Sequence, residues 1–403
     1  MRISTPEFIS LMAMLVATVA ISIDAMLPAL PDIAIQLTAN NPNQVQLILS
    51  TFIGGMAIGT LVVGPLSDSF GRKNVIYMGA AIYITFSALC MFATNLETMI
   101  IARVFQGIGA AAPRVVSQAL VRDLYSGREM ARITSFIMII FSIVPAVAPL
   151  MGAGLILLFD WRAIFLVFIL FALVSTFWTA IRIREPLRAE MRIPFQLKIF
   201  QAAFLNIISI GIVRISIITL IFSYGTLFTC ILLVQQVFDQ FFGRAGSFPE
   251  WFAVIAALSA SASFLNSMLV MKLGMRRLIS AALRVQVVLS VLMLLMFYAG
   301  IISGDLGFVI FVFWIFSLFF QAGLTLGNLT ALSMEPLGHI AGTAASVISA
   351  IATLGSAALA TIAGHFFNGT PLTMIVSILL FASLGALSAH LLQRFDRTSN
   401  SGE

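Results

Sequence analysis

Gly64-Pro65-Leu66-Ser67-Asp68-Ser69-Phe70-Gly71-Arg72-Lys73 is the stretch that decides how this chain is read. An acid, a turn glycine and a basic pair meet within ten residues, between apolar runs at about 48–66 and 75–93. Charged connections that end on Lys and Arg mark the cytoplasmic edge of paired membrane helices. The stretch reads as a short loop, with Gly64 at its start, Gly71 at its turn, and Asp68, Arg72 and Lys73 as its charges.

Composition points the same way. The 403 residues are 60% apolar and 9% charged, with a mean hydropathy of +1.07. A soluble domain carries roughly 25% charged residues because it needs a polar exterior; here the exterior must be lipid. The basic excess does not read as a nucleic-acid footprint, because Lys and Arg occur singly or in small clusters between apolar runs. Cys90 and Cys230 both fall inside apolar runs and read as small packing residues, with no disulfide or metal spacing. The first apolar run, about Phe8 to Leu30, exceeds the roughly 7–15 residues of a signal-peptide core. It contains Asp24 and follows a single basic residue, Arg2, so it reads as the first spanning helix.

A spanning helix needs about 20 apolar residues. That length predicts twelve spans, at 8–30, 48–66, 75–93, 98–118, 133–155, 163–181, 215–237, 251–271, 278–299, 306–333, 342–364 and 372–392. The stretch 193–213 is apolar but carries Gln196, Lys198, Gln201 and Asn206, so it reads as a helix lying in the interface. With the N-terminus inside, 17 of the 22 Lys and Arg residues fall in cytoplasmic segments, which fixes the orientation and puts both termini in the cytoplasm. The resulting plan is a six-helix bundle at 1–181, a cytoplasmic linker at 182–214, and a second six-helix bundle with a short tail at 215–403. A weak repeat spans it: Gly71-Arg72-Lys73-Asn74-Val75-Ile76 is echoed by Gly274-Met275-Arg276-Arg277-Leu278-Ile279, with Met271 where an acid would match Asp68.

Four stretches carry a family resemblance. Gly64–Lys73 resembles the loop between helices 2 and 3 of major facilitator transporters, departing from its pattern at Ser67 and Ser69. Asp24-Ala25-Met26-Leu27-Pro28-Ala29-Leu30-Pro31 resembles the first-helix element of twelve-helix drug:proton antiporters, most closely the bicyclomycin and chloramphenicol resistance branch. Arg103-Val104-Phe105-Gln106-Gly107-Ile108-Gly109-Ala110 matches the family's fourth-helix pattern in full. Pro145, Pro149, Gly152 and Gly154 resemble the antiporter element of helix 5, with Ala148 and Ala153 replacing two of its glycines. The resemblance implies an all-α membrane protein with the major facilitator fold: twelve transmembrane helices in two pseudo-symmetric six-helix bundles, with cargo held between them near the midplane. It also implies that Gly64, Asp68, Gly71, Arg72 and Lys73 form a conformational latch between the halves, and that Arg103 takes part in proton coupling.

Asp24 is the sole acid inside any predicted span, the other fifteen falling in loops or tails. An ionisable group within the membrane is costly and is by default a functional-site candidate. Burial favours the neutral acid and a nearby cation favours the carboxylate, so a moving partner makes such a group exchange a proton. Arg103 is the candidate partner, since both lie about 7–9 Å below the outer end of their helices at 1.5 Å per residue; a fixed ion pair locking spans 1 and 4 is the structural alternative. Arg114 returns to within about 20° of the Arg103 face and has two open readings, a cavity cation or a side chain snorkelling to the interface. Arg284 fits snorkelling, and His365 and His390 fit interfacial packing. Tyr224, Gln321 and Asn328 are weaker candidates for cargo contact, and a bond to a neighbouring helix is the favoured reading of each.

No phosphate-cradling loop, paired carboxylates or metal cluster is legible, and Gly107-Ile108-Gly109 sits on a spanning helix rather than after a strand. The reading is therefore a non-enzyme needing no cofactor: a proton-coupled efflux carrier in a bacterial inner membrane. Its expected partners are protons, a small-molecule substrate (neutral, zwitterionic or anionic) and the lipid bilayer, without nucleic acid, and it is expected to be a monomer. Asp24, Arg103, Arg114, Tyr224, Gln321 and Asn328 are the expected cargo contacts. A carrier dedicated to one polar metabolite is the rival reading, and a non-transporting sensor on the same fold a more distant one.

Overall fold

The computed structural model describes residues 3–38, 41–187, 190, 192 and 197–399; residues 193–196 of the expected interfacial stretch lie outside it. Helices long and apolar enough to cross a membrane number twelve among the described residues. Contacts divide the chain into two compact units, Met1–Leu197 and Lys198–Glu403.

In the first unit, α1 (Thr5–Asp24) begins on a Ser-x-x-Glu capping box, in which Ser4 Oγ accepts from the Glu7 N–H and frees the first turn from an orphan donor. α1 ends at Asp24, and a 3₁₀ turn (Leu27–Ala29) leads into α2 (Leu30–Leu37), so the first span is a broken helix from Thr5 to Leu37. α3 (Leu47–Phe70), α4 (Arg72–Met91), α5 (Leu96–Leu124), α6 (Gly127–Leu158) and α7 (Arg162–Arg182) supply spans 2 to 6. The predicted loop at Gly64–Lys73 is almost wholly helical: α3 runs through Pro65 to Phe70, and Gly71 alone separates it from α4. Gly71 has φ 93° and ψ 154°, a conformation other residues resist.

Close approach of backbones holds spans 2, 3 and 4 together. A Cβ at Gly107 of α5 would overlap the Phe52 carbonyl oxygen of α3, and one at Gly109 would lie 2.6 Å from the Tyr83 nitrogen of α4. Membrane helices have no hydrophobic drive to associate, so such small-residue contacts set their packing.

The second unit opens with α8 (Leu197–Ser209), a 13-residue helix too short to span. α9 (Gly211–Gln236) continues into a π turn at Val237–Phe241. α10 (Phe248–Ser259) and α11 (Ser261–Leu273) form one broken span, followed by α12 (Met275–Tyr298), α13 (Gly304–Met334), α14 (Ala341–His365) and α15 (Leu372–Ser399). Gly274 precedes α12 with φ 77° and ψ 154°, nearly the dihedrals of Gly71 before α4, so the repeated glycine makes the same turn in each unit. The helices overrun their predicted ends, so acids besides Asp24 fall within the longer spans: Glu7 and Asp32 in span 1, Asp68 in span 2 and Asp239 in the π turn of span 7 are each half-buried.

Candidate proton and cargo site

The break in span 1 follows from its prolines. Pro28 lacks the N–H that would have bonded the Asp24 carbonyl, and Pro31 lacks the one for Leu27. The last turn tightens instead: Ala25 N–H donates to Ile21 O (3.1 Å) and Met26 N–H to Ile23 O (3.2 Å). That leaves the Ser22 carbonyl without a helical donor, and Arg103 Nη2 donates to it at 3.0 Å. Arg103 is thus the cap of a broken helix, a cation placed where backbone carbonyls end.

Arg103 is fully enclosed. Its Nε donates to Ile48 O (2.9 Å) and its Nη1 to Gln106 Oε1 (2.7 Å), and its guanidinium lies 4.3 Å from the Phe52 ring centroid. Gln106 Nε2 donates to Ser87 Oγ (2.6 Å), which in turn donates to Tyr83 O (2.7 Å). Ser22 Oγ–H is committed to Thr18 O, so the Tyr83 hydroxyl donates to Ser22 Oγ at 2.6 Å. The family-like pattern of span 4 therefore does two jobs here. Its glycines admit neighbouring backbones, and its Arg and Gln satisfy buried polar groups that would otherwise be costly.

Asp24, the last residue of α1, is 6% exposed. Among the described residues its side chain makes no hydrogen bond or ion pair. The expected Asp24–Arg103 pair is not formed: the arginine spends its donors on Ser22, Ile48 and Gln106. Arg103 is fully buried and meets span 1 through the Ser22 carbonyl, two residues before Asp24.

Span 5 meets the same break. A Cβ at Gly152 would overlap the Ala25 carbonyl oxygen and lie 3.0 Å from its carbon, whereas a Cβ at Gly154 meets nothing within 4 Å. Pro145 and Pro149 lie within α6, which continues unbroken past both. A cavity of about 290 Å³ opens among α1, α5 and α6, lined by Val16, Ser117, Gln118, Arg122, Thr134 and Met138.

Arg114 is half-buried and donates from Nη1 to Met56 Sδ (3.3 Å), with no carboxylate within ion-pair distance among the described residues. Arg284 is exposed. Tyr224 is half-buried, its ring 5.6 Å from that of Phe228. Gln321 is held inside the second unit, donating to Ser223 Oγ (3.0 Å) and Thr325 Oγ1 (2.8 Å) and accepting from Thr226 Oγ1 (3.3 Å). Asn328 donates to Asn266 Oδ1 (2.6 Å) and Leu324 O (2.9 Å). Both amides thus bond neighbouring helices, the alternative that the sequence already offered for Gln321 and Asn328. Sequence reading passed over Ser223, Thr226 and Thr325, although Thr219, Ser223 and Thr226 recur at helical spacing on one face of α9.

The basic pair after Gly71 is fully engaged within the first unit. Arg72 Nη1 pairs with Asp68 Oδ1 (2.5 Å) and also donates to Ser67 Oγ (2.7 Å), while Nε pairs with Asp123 Oδ2 (2.7 Å). Ser67, a departure from the family pattern, is thereby a working partner. Glu185, not singled out by the sequence, accepts from the Arg72 and Lys73 backbone N–H groups (3.0 and 2.8 Å), and Lys73 Nζ reaches Ala180 O (3.1 Å). A carboxylate on the first N–H groups of α4 satisfies orphan donors and the helix dipole together.

Twelve apolar helices in two units, a broken first span and a buried unpaired acid define a polytopic carrier-type membrane protein. A sequence model of the Major Facilitator Superfamily matches residues 12–360, and the chain belongs to that superfamily. It is 31% identical to a bicyclomycin resistance protein homolog of Haemophilus influenzae over 86% of each chain. It is also 27% identical to the multidrug resistance protein MdtL of Vibrio parahaemolyticus, over 92% of this chain and 91% of that one. In fold it is similar to a D-xylose–proton symporter, with a TM-score of 0.75 over 96% of this chain and 97% of that one at 15% identity.

Proposed function

We propose that this chain is a proton-coupled exporter of small molecules in a bacterial inner membrane, with both termini cytoplasmic. The observation that carries the reading is Asp24, enclosed, unpaired and placed at the break of a spanning helix. Discontinuous membrane helices expose backbone ends at which ions and substrates bind. A carboxyl there takes a proton when its surroundings dry and releases it when water or a cation reaches it. Relatives named for bicyclomycin and multidrug resistance support export as the direction and drug-like molecules as cargo. The proton gradient supplies the energy, so the carrier works without a nucleotide, metal or other cofactor, as a monomer and not as an enzyme.

In this reading Asp24 is protonated from the outer side, and the neutral acid permits the change of state that returns the carrier inward. Loss of the proton to the cytoplasm, with cargo taken up near Arg114, resets it. Asp68, Gly71, Arg72 and Lys73, with Glu185 and Asp123, hold the inner ends of spans 2, 3 and 4 in one of the two states. In liposomes with an imposed pH gradient, Asp24→Asn should abolish bicyclomycin accumulation while bicyclomycin binding persists. A mutant that still pumps against the gradient would refute the assignment. The orientation is checked separately: in a Cys-free background, an impermeant thiol reagent outside should label a cysteine at position 244 and not one at 276.

A further inference from the structure

Asp24 is bracketed by two contacts that its own helix does not provide. One residue on, the Ala25 carbonyl lies against the bare backbone of Gly152 on span 5. Two residues back, the Ser22 hydroxyl receives the Tyr83 hydroxyl of span 3 at 2.6 Å. We propose that Gly152 and Tyr83 are positioning residues for Asp24, fixing the broken turn of span 1 from spans 5 and 3; the inference rests on the reading of Asp24 as the proton carrier.

The argument turns on what the break lacks. Within a continuous helix each residue is held by bonds to the turns on either side, and neighbours adjust to it. Here Pro28 withholds a donor from the Asp24 carbonyl, and the Ser22 carbonyl has turned outward to Arg103. The turn that carries the acid is therefore the least self-supported part of span 1, and its place is set from outside. Gly152 contributes contact without a side chain that could rotate to absorb a displacement, so any shift of α6 passes directly to the Ala25 peptide. Gly154, two residues further on, has open space where its Cβ would be. The helix-5 element thus contains one glycine that the break requires and one that it does not. General helix packing would not separate them, since small residues serve membrane helix contacts wherever they fall.

Several charged and titratable groups of the surrounding helices lie at the opposite end from this turn: Arg72, Lys73 and Tyr77 on span 3, Arg122 and Asp123 on span 4, and Arg128, Glu129 and Arg132 on span 5. Arg103 on span 4 and Tyr83 and Cys90 on span 3 are buried. Pro145–Leu155 on span 5 carries none. On span 6, Arg162 engages Gln36 and Asp160 at one end, and Arg182 engages Glu7 at the other. On span 4, Arg114 engages Met56, and Glu97 is exposed at the start of the helix. On span 1 beyond the break, Asp32 is half-buried. A change in the titration of Asp24 on substituting Gly152 or Tyr83 therefore reports a change in its position, because neither substitution removes a charge.

The test follows Asp24 directly and needs no cargo. The full chain in lipid nanodiscs is titrated by infrared difference spectroscopy, and the carboxylic-acid band of Asp24 is identified by its loss in Asp24→Asn. Gly152→Ala and Tyr83→Phe are expected to move the midpoint of that band by about half a pH unit or more, about a threefold change in proton affinity, while Gly154→Ala titrates as wild type. If Gly152→Ala is not recovered folded, Tyr83→Phe decides alone, since it removes one hydroxyl and keeps the ring. Wild-type midpoints in the folded variants, or a shift in Gly154→Ala equal to that in Gly152→Ala, would overturn the inference while leaving the Asp24 reading standing. If Asp24→Asn loses no titrating band, the Asp24 reading itself falls and takes the inference with it.

Discussion

Arg103 shows how a buried charge in a membrane helix can be structural and still matter to the site. Its three donor directions meet two backbone carbonyls and one amide oxygen, and its flat face lies on Phe52. Arg103→Ala would strand the Ser22 carbonyl and Gln106 Oε1 in a dry interior, each costing about 1–3 kcal/mol. Arg103→Lys should not rescue it, because a single ammonium cannot reproduce the guanidinium fork. Asp24→Asn, by contrast, removes no hydrogen bond or ion pair and should cost less stability than Arg103→Ala. Thermal unfolding of the purified variants in detergent would check the contrast, and an Arg103→Ala protein as stable as wild type would contradict it. The sequence placed Asp24 and Arg103 at matching depth, and they do act on the same turn. Depth along a helix cannot say whether a guanidinium will choose a carboxylate or a freed carbonyl, because that choice depends on where Pro28 breaks the chain's own hydrogen bonds.

At the scale of helices, the turn between α3 and α4 is a junction that draws on partners far along the chain. Asp68 and Asp123 share one guanidinium, with Asp68 about half-exposed and Asp123 more enclosed. Exposed pairs contribute about 0–1 kcal/mol, so Asp68→Asn should cost little in stability, and Asp123→Asn somewhat more. Because both act through Arg72, their effects on stability and transport rate should be non-additive by about 0.5–1 kcal/mol in a double-mutant cycle. Strict additivity would mean that the two acids work independently, against the shared contact. The identities of Gly71, Arg72 and Lys73 were legible in the sequence, since a turn glycine beside a basic pair has few other uses at a membrane edge. That the stretch before them is helix was not, because Pro65 and the serines read as turn residues, and membrane helices tolerate proline that a water-exposed helix would not. Glu185 carried no signal at all. It lies 113 and 112 residues from the groups it bonds, in a segment whose only visible property was its charge.

At the scale of the whole molecule, the two units carry their polarity differently, and this bears on cargo. In the first unit the spans enclose Asp24 and Arg103, with Arg114 half-buried. In the second, the buried polar groups of α9 and α13 are neutral hydroxyls and amides, among them Ser223, Thr226, Gln321, Thr325 and Asn328. Arg103 is consumed by the helix break, which leaves Arg114 as the cation of span 4 whose one side-chain hydrogen bond among the described residues goes to a thioether. A thioether is a weak acceptor, so Arg114 gives little up when a carboxylate or carbonyl of cargo approaches. A permanent cation near it would meet like charge in a low dielectric, where repulsion over several ångströms is far larger than in water. Neutral acceptor-rich, zwitterionic or anionic molecules are therefore the expected cargo, and quaternary ammonium dyes are not. Arg114→Gln should lower apparent affinity for an anionic substrate by about tenfold, the loss of one charge-assisted hydrogen bond, while proton movement through Asp24 survives. Arg114→Lys, which keeps the charge but not the fork, should fall between them. The decisive comparison is transport of a matched cationic and neutral pair by wild type and Arg114→Gln. Efficient wild-type export of the permanent cation, untouched by the substitution, would place Arg114 at the lipid interface and leave selection by charge to other residues.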